Sequence, residues 1–320
     1  MKSLSSYKVS KIITLVFQKR PRFSPLHKIK YLNYSIIPII MLLIFGCSKE
    51  QNAKNMRLNI FVSILPQKYF VEKITKDKAN ISVMVLPGAS PATYEPRPNQ
   101  MKSLSNADLY VRIGVPFENV WMEKISNANE KMKIIKSYEG IKRIISDKQS
   151  FTQLKDNGKC IDPHIWLSPN LVKIQVENIY NAIVEIDSKN KEFYTKNNKQ
   201  FLTEINELDK NIRDILKNVK KRKFIVFHPS WSYFANDYGL EQIPIEIEGK
   251  EPSAIEMKKL IELAKKESIK VIFVQPQFNK KSAETIAKQI DGKVVEIDPL
   301  AENWIENLLK VANTFSKELK

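Results

Sequence analysis

Residues 188–220 read SKNKEFYTKNNKQFLTEINELDKNIRDILKNVK, and the division of the whole chain follows from that stretch. Phe201, Ile205, Leu208, Ile212, Ile215 and Val219 recur at spacings of four, three, four, three and four, which puts them on one face of an α-helix. No Pro or Gly interrupts 188–220, so about thirty residues can run as one helix of roughly 45 Å. A single seam of that length is too short for a coiled coil. The expected role is a rigid spine packed across two domains.

Working outward, both flanks alternate short β-type runs with helical ones. Before the spine, strands are expected at 58–62, 81–86 and 109–113, with helices starting near Pro66, Asn99 and Glu118. After it, strands are expected at 223–227, 243–247, 271–274 and 294–297, with helices near Ser253, Ser282 and Trp304. Such alternation implies parallel βαβ units. Ser168-Pro169 is an N-cap and first-turn pair for a further helix through Leu171, Ile174, Ile179 and Ile183. The expected fold class is α/β: two lobes of parallel βαβ sheets joined by a long rigid helix. The expected parts are a lipoprotein signal peptide (1–46), a tether (47–57), an N-terminal lobe (58–187), the linker helix (188–220) and a C-terminal lobe (221–320).

Composition narrows the function. The 320 residues are 43% hydrophobic and 27% charged, which suits a folded globular chain. Only 8 Gly occur, with no Gly-x-Gly, so neither a Rossmann fingerprint nor a P-loop can be written on it. With 2 Cys there is no disulfide framework and no Cys-based zinc knuckle, which leaves His and carboxylates for any metal site. The net charge of +17 is inflated by the first 47 residues, which carry eight basic residues and no acid; the remainder has 44 basic against 35 acidic. Those charges alternate in sign along helical stretches, the pattern of a solvated surface, and no nucleic-acid partner is expected.

Lys28 and Lys30 precede an eleven-residue apolar run, Ile36 to Gly46, that is too short to span a bilayer and has the length of a signal-peptide core. Its ending, Ile44-Phe45-Gly46-Cys47, resembles a bacterial lipobox, in which Cys47 would take a lipid. An uncleaved membrane anchor is the other reading of the same run. Either places the folded part outside the cytoplasm, facing the periplasm or cell exterior, with residues after Cys47 as a polar tether.

Beyond the leader only two histidines remain. His164 lies in Asp162-Pro163-His164-Ile165-Trp166, just before the capped helix, and His228 directly follows an expected strand. Asp298 follows another. Loops beyond the carboxyl ends of parallel strands are where α/β sheets bind ligands, and two imidazoles with a carboxylate suit a divalent metal. A loop histidine taken alone is more often structural, so spacing by itself does not establish the set.

Several motifs in order carry a resemblance: Pro87-Gly88-Ala89-Ser90-Pro91-Ala92-Thr93-Tyr94-Glu95-Pro96, then Asp162 to Pro169, Phe227-His228-Pro229-Ser230-Trp231, Glu251-Pro252-Ser253, Gln275-Pro276-Gln277-Phe278 and Ile297-Asp298-Pro299-Leu300. Across 58 to about 310 the chain resembles the zinc- and manganese-binding substrate-binding proteins of bacterial ABC uptake transporters. The resemblance implies an interlobe cleft in which His164, His228 and Asp298 are metal ligands. It also implies a permease and an ATPase as partners and a monomer held at the membrane by lipid on Cys47. Where the family has His after Ser-Pro, this chain has Ala92, which offers no donor; water, Glu95, Tyr94, Glu248 or Gln277 are the candidates for that place. The manganese-type members carry Glu where this chain has His228, and imidazole suits zinc, so Zn²⁺ is expected as the transported ligand, with Mn²⁺ or Fe²⁺ as alternatives. A metal-dependent enzyme using a 2-His-1-carboxylate site, or an adhesive lipoprotein with a degenerate site, are the other functions considered. No His-Glu-x-x-His or comparable catalytic motif is present.

Overall fold

The computed structural model describes residues 57–146, 155–156, 159–246 and 250–320. The signal segment, Cys47, the tether up to 56 and Glu248 lie outside the described residues. Among the described residues no helix is long and apolar enough to cross a membrane.

Two four-stranded, all-parallel sheets organise the chain. The first, in the order β2-β1-β3-β4, is built from β1 (Leu58–Val62), β2 (Ala79–Val83), β3 (Leu109–Arg112) and β4 (Lys133–Lys136). The second, in the order β11-β10-β8-β9, uses β8 (Lys223–Val226), β9 (Glu241–Pro244), β10 (Val271–Val274) and β11 (Lys293–Glu296). Read from the first strand of each, the two orders are the same, and in both the chain reverses direction across the sheet between the first and third strands. That switch point is where α/β sheets open a crevice at their carboxyl ends.

Three differences from the sequence reading have local causes. β4 was not expected, because two isoleucines between lysines make a short edge strand whose charges mask its pattern. β9 ends at Pro244 rather than starting at 243: it pairs in register from Lys223↔Glu241 to Val226↔Pro244, at an edge where Pro is tolerated. A small antiparallel sheet of β5 (Ile145–Ser146), β6 (Lys155–Asp156) and β7 (Lys159–Ile161) precedes the His164 loop, its strands too short to show a periodicity.

The spine is a helix over Lys191–Leu216, 26 residues, shorter than the stretch expected. At its start the Asp187 carboxylate accepts from Asn190 Nδ2 and Tyr194 Oη, so 188–190 fold as a 3₁₀ turn on that side chain. Beyond Leu216 the chain turns back, and Val219 is buried as a loop residue. The seam itself is at the centre: Phe201, Ile205, Leu208 and Ile212 are each at most 2% exposed. One continuous core runs from both faces of β1 and β3 through the seam to Phe224, Val226, Val271 and Phe273 on one face of the second sheet. Ile225, Ile272 and Val274 alternate to the other face, under the helices Ala254–Lys266 and Lys281–Gln289. Ser168 caps the helix Pro169–Ile186 by accepting from Leu171 N, as its sequence predicts.

Candidate metal site

Segments that follow strands of both sheets line the hollow that holds the two histidines. His228 stands two residues beyond β8, and parallel register then dictates its neighbours. The β8–β9 pairing of Val226 with Pro244, carried two residues further, sets Glu246 beside His228, and Glu246 N donates to Phe227 O at 3.0 Å. The β8–β10 pairing of Val226 with Phe273 sets Gln275 on the other side. There Gln275 Oε1 accepts from His228 N at 3.2 Å while its Nε2 donates to His228 O at 2.6 Å. The imidazole is thus clamped along its backbone, stacked on Phe278 with centroids 4.8 Å apart, and held at Nδ1 by Glu246 Oε2 at 2.8 Å.

His164 is held differently and to the same end. Asp162 Oδ1 accepts from both His164 N at 2.9 Å and Nδ1 at 2.7 Å, a tight loop across Pro163. The following 3₁₀ turn, Ile165–Leu167, is pinned to the second lobe by two indoles. Trp166 Nε1 donates to Pro299 O, and Trp304 Nε1 donates to Trp166 O, both at 2.7 Å. These bonds carry His164 to His228 from 64 residues away: their Nε2 atoms are 3.3 Å apart.

The electrostatics follow from the partners. A carboxylate accepting Nδ1–H leaves a lone pair on Nε2, the tautomer that ligates metals. Two such lone pairs facing each other repel unless a proton or cation lies between them. Burial holds the His164 pKa below its ordinary value, against the opposing pull of Asp162, so the ring is neutral at neutral pH. Two imidazole nitrogens on one tetrahedral zinc, at Zn–N of about 2.0–2.1 Å, would stand about 3.3–3.4 Å apart, the separation found here. The enclosed space is about 30 Å³, room for an ion or a water.

Asp298 is not part of that pair. Its Oδ1 accepts from Gln277 Nε2 at 3.0 Å and from Leu300 N at 2.9 Å, and it lines an adjoining hollow of about 180 Å³. Among the described residues no three His, Cys, Asp or Glu side chains converge closely enough to hold an ion. Ala92 lines the histidine hollow, as does Gln277. Glu95 is exposed, and Tyr94 Oη is spent on Gln100, so neither reaches the site. Sequence reasoning missed Glu246, which nothing local marks and only the strand register could have found, and it quoted Gln275 in a motif without assigning it the clamp on His228. Asp162 carried a local signal, a carboxylate two residues before His across a proline.

The family described as ZnuA, Zinc-uptake complex component A periplasmic, matches residues 60–318. The High-affinity zinc uptake system protein ZnuA of Bacillus subtilis is 29% identical over 288 residues, covering 85% of this chain and 89% of that protein. The Zinc-binding lipoprotein AdcA of Streptococcus pneumoniae strain R6 is 27% identical over 280 residues; the match takes 85% of this chain but 55% of that longer protein. A crystal structure of a ZnuA is 45% identical over 82% of this chain and all of that one, with a TM-score of 0.78.

Proposed function

We propose, from the premise that this chain belongs to the zinc-uptake complex component A family, that it captures a divalent cation, zinc, outside the cytoplasm and delivers it to an ABC permease and its ATPase. The observation that carries this reading is the pair of buried imidazoles with Nε2 atoms 3.3 Å apart, each backed at Nδ1 by a carboxylate. Two imidazoles favour Zn²⁺ over Mn²⁺. His164, His228 and Asp298 are the proposed ligands, with the place beside Ala92 left to another donor. Closing that shell needs Asp298 to turn one carboxylate oxygen from its own hollow towards the histidines.

Zinc is the cargo here, so the chain's task is to bind and to let go. Binding requires the imidazoles neutral, which burial secures for His164. Release needs only a small change in lobe geometry, because the ligands come from loops of both halves. The spine, packed against helices of both halves, favours small adjustments over wide hinge opening. The proposed organisation is a lobe at 58–187, a linker at 188–220 and a lobe at 221–320, acting as a monomer and tethered through lipid on Cys47.

Equilibrium dialysis of the purified protein against buffered Zn²⁺, Mn²⁺ and Fe²⁺ tests the reading. One zinc per chain, bound more tightly than the other two, is expected; no bound ion at micromolar free metal would overturn it.

A further inference from the structure

Gln277 lies on the wall shared by the two hollows, with the histidine pair on one side and Asp298 on the other. Its amide orientation is set by chemistry: the nitrogen donates to a carboxylate, so Oε1 must face away from Asp298. That oxygen is buried and has no hydrogen-bond partner, a costly state for a carbonyl. The surroundings offer it little to accept. Pro91, Pro163 and Pro299 on the wall have no N–H, and the Trp166 indole is spent on Pro299 O. Both imidazoles spend their Nδ1 on carboxylates and turn Nε2 inward. Two facing imidazole nitrogens and an unpartnered carbonyl oxygen on a residue of the same wall, where donors are few, suit a cation.

Resting on the zinc-capture reading, we propose that Gln277 Oε1 is the fourth protein donor to the bound ion, beside His164, His228 and Asp298, standing in for the imidazole that Ala92 does not supply. Asp298 then has two tasks, a ligand oxygen of its own and an Oδ1 that aims the Gln277 amide. A neutral, hard carbonyl oxygen in place of an imidazole also narrows the margin between zinc and manganese.

The test compares Gln277→Leu and Gln277→Glu with wild type, using the full-length chain in detergent. Zinc and manganese affinities are read by competition with a chromophoric chelator, and coordination number from the visible spectrum of the Co²⁺ form. Gln277→Leu should lose at least about tenfold in zinc affinity and change the Co²⁺ spectrum. Gln277→Glu keeps an oxygen donor but cannot donate to Asp298, so it should hold affinity within a few-fold of wild type. Ala92→His placed on Gln277→Leu should restore most of the loss. Equal loss in Leu and Glu variants, with an unchanged Co²⁺ spectrum, would show that Gln277 acts only by holding Asp298 and would overturn the ligand assignment. Wild-type affinity in Gln277→Leu would overturn it as well. Absence of zinc binding by wild type, or its indifference to His164→Ala, would instead overturn the zinc-capture reading on which the assignment rests.

Discussion

The two sheets share a strand order, yet the carboxylates at their carboxyl ends serve opposite ends. In the first, Glu118 is fully buried beyond β3 and surrounded by donors. Ser63 Oγ and Ile113 N reach its Oε1 at 2.6 and 2.8 Å, and Gly114 N and Arg112 Nε reach Oε2 at 3.0 and 3.2 Å. Burial pushes the Glu118 carboxyl up, and those donors pull it back. Gly114 holds a positive φ, and Arg143 occupies the space where a Cβ would point, which seals that end. In the second sheet Glu246 is equally buried but spends itself on His228 Nδ1, which turns a nucleophilic nitrogen into the hollow. The lesson is that a saturated carboxylate closes a strand end, while one backing an imidazole keeps it chemically open.

The sharpest way to break the comparison is to remove an imidazole. His164→Ala and His228→Ala should each lose at least about a hundredfold in zinc affinity, beyond the tenfold to hundredfold expected of an outer partner, with the fold intact by circular dichroism. Unchanged affinity in both would refute the open end. At the closed end Glu118→Leu strands buried donors and should cost about 3 kcal/mol in urea unfolding, while the folded fraction binds zinc as wild type does. A large affinity loss there would mean the two ends are not separate.

Smaller effects sharpen the contrast. Glu246→Ala should weaken zinc by about tenfold to a hundredfold by freeing the His228 ring, measured by chelator competition. Ala92→His, set into the same hollow, should tighten zinc, and manganese less, by putting an imidazole in place of the weaker Gln277 carbonyl oxygen, as read by calorimetry; no gain for zinc would show that a ring at 92 does not reach the ion. The smallest effect is in pH. Burial lowers the His164 pKa from its ordinary value of 6.5, so as pH falls below 6.5 the unfolded chain takes the proton first. Stability of the metal-free protein is therefore full above that pH and declines as it falls towards the lowered folded value. Urea midpoints of chelator-treated wild type at pH 7.5 and 5.5 should show this slope, and His164→Gln should show less of it.

Much of this molecule follows from sequence alone. Periodicity marks the seam of Phe201, Ile205, Leu208 and Ile212, because a helix buries what recurs at three and four residues. Alternating β and helical runs imply parallel α/β halves, and histidine scarcity singles out His164 and His228. Where the helix within 188–220 starts and stops is not legible, because the Asp187 side chain and the turn back to Val219 are tertiary choices that leave no periodic trace. Nor was the site's inner order. Glu246 reaches His228 only through the β8–β9 register, Gln277 stands against Asp298 only through the ends of β10 and β11, and Trp166 meets Pro299 only once the spine has brought the lobes together. A sequence names groups able to ligate; their separation to a tenth of an ångström depends on register and packing between segments far apart in the chain, and only the folded structure decides it.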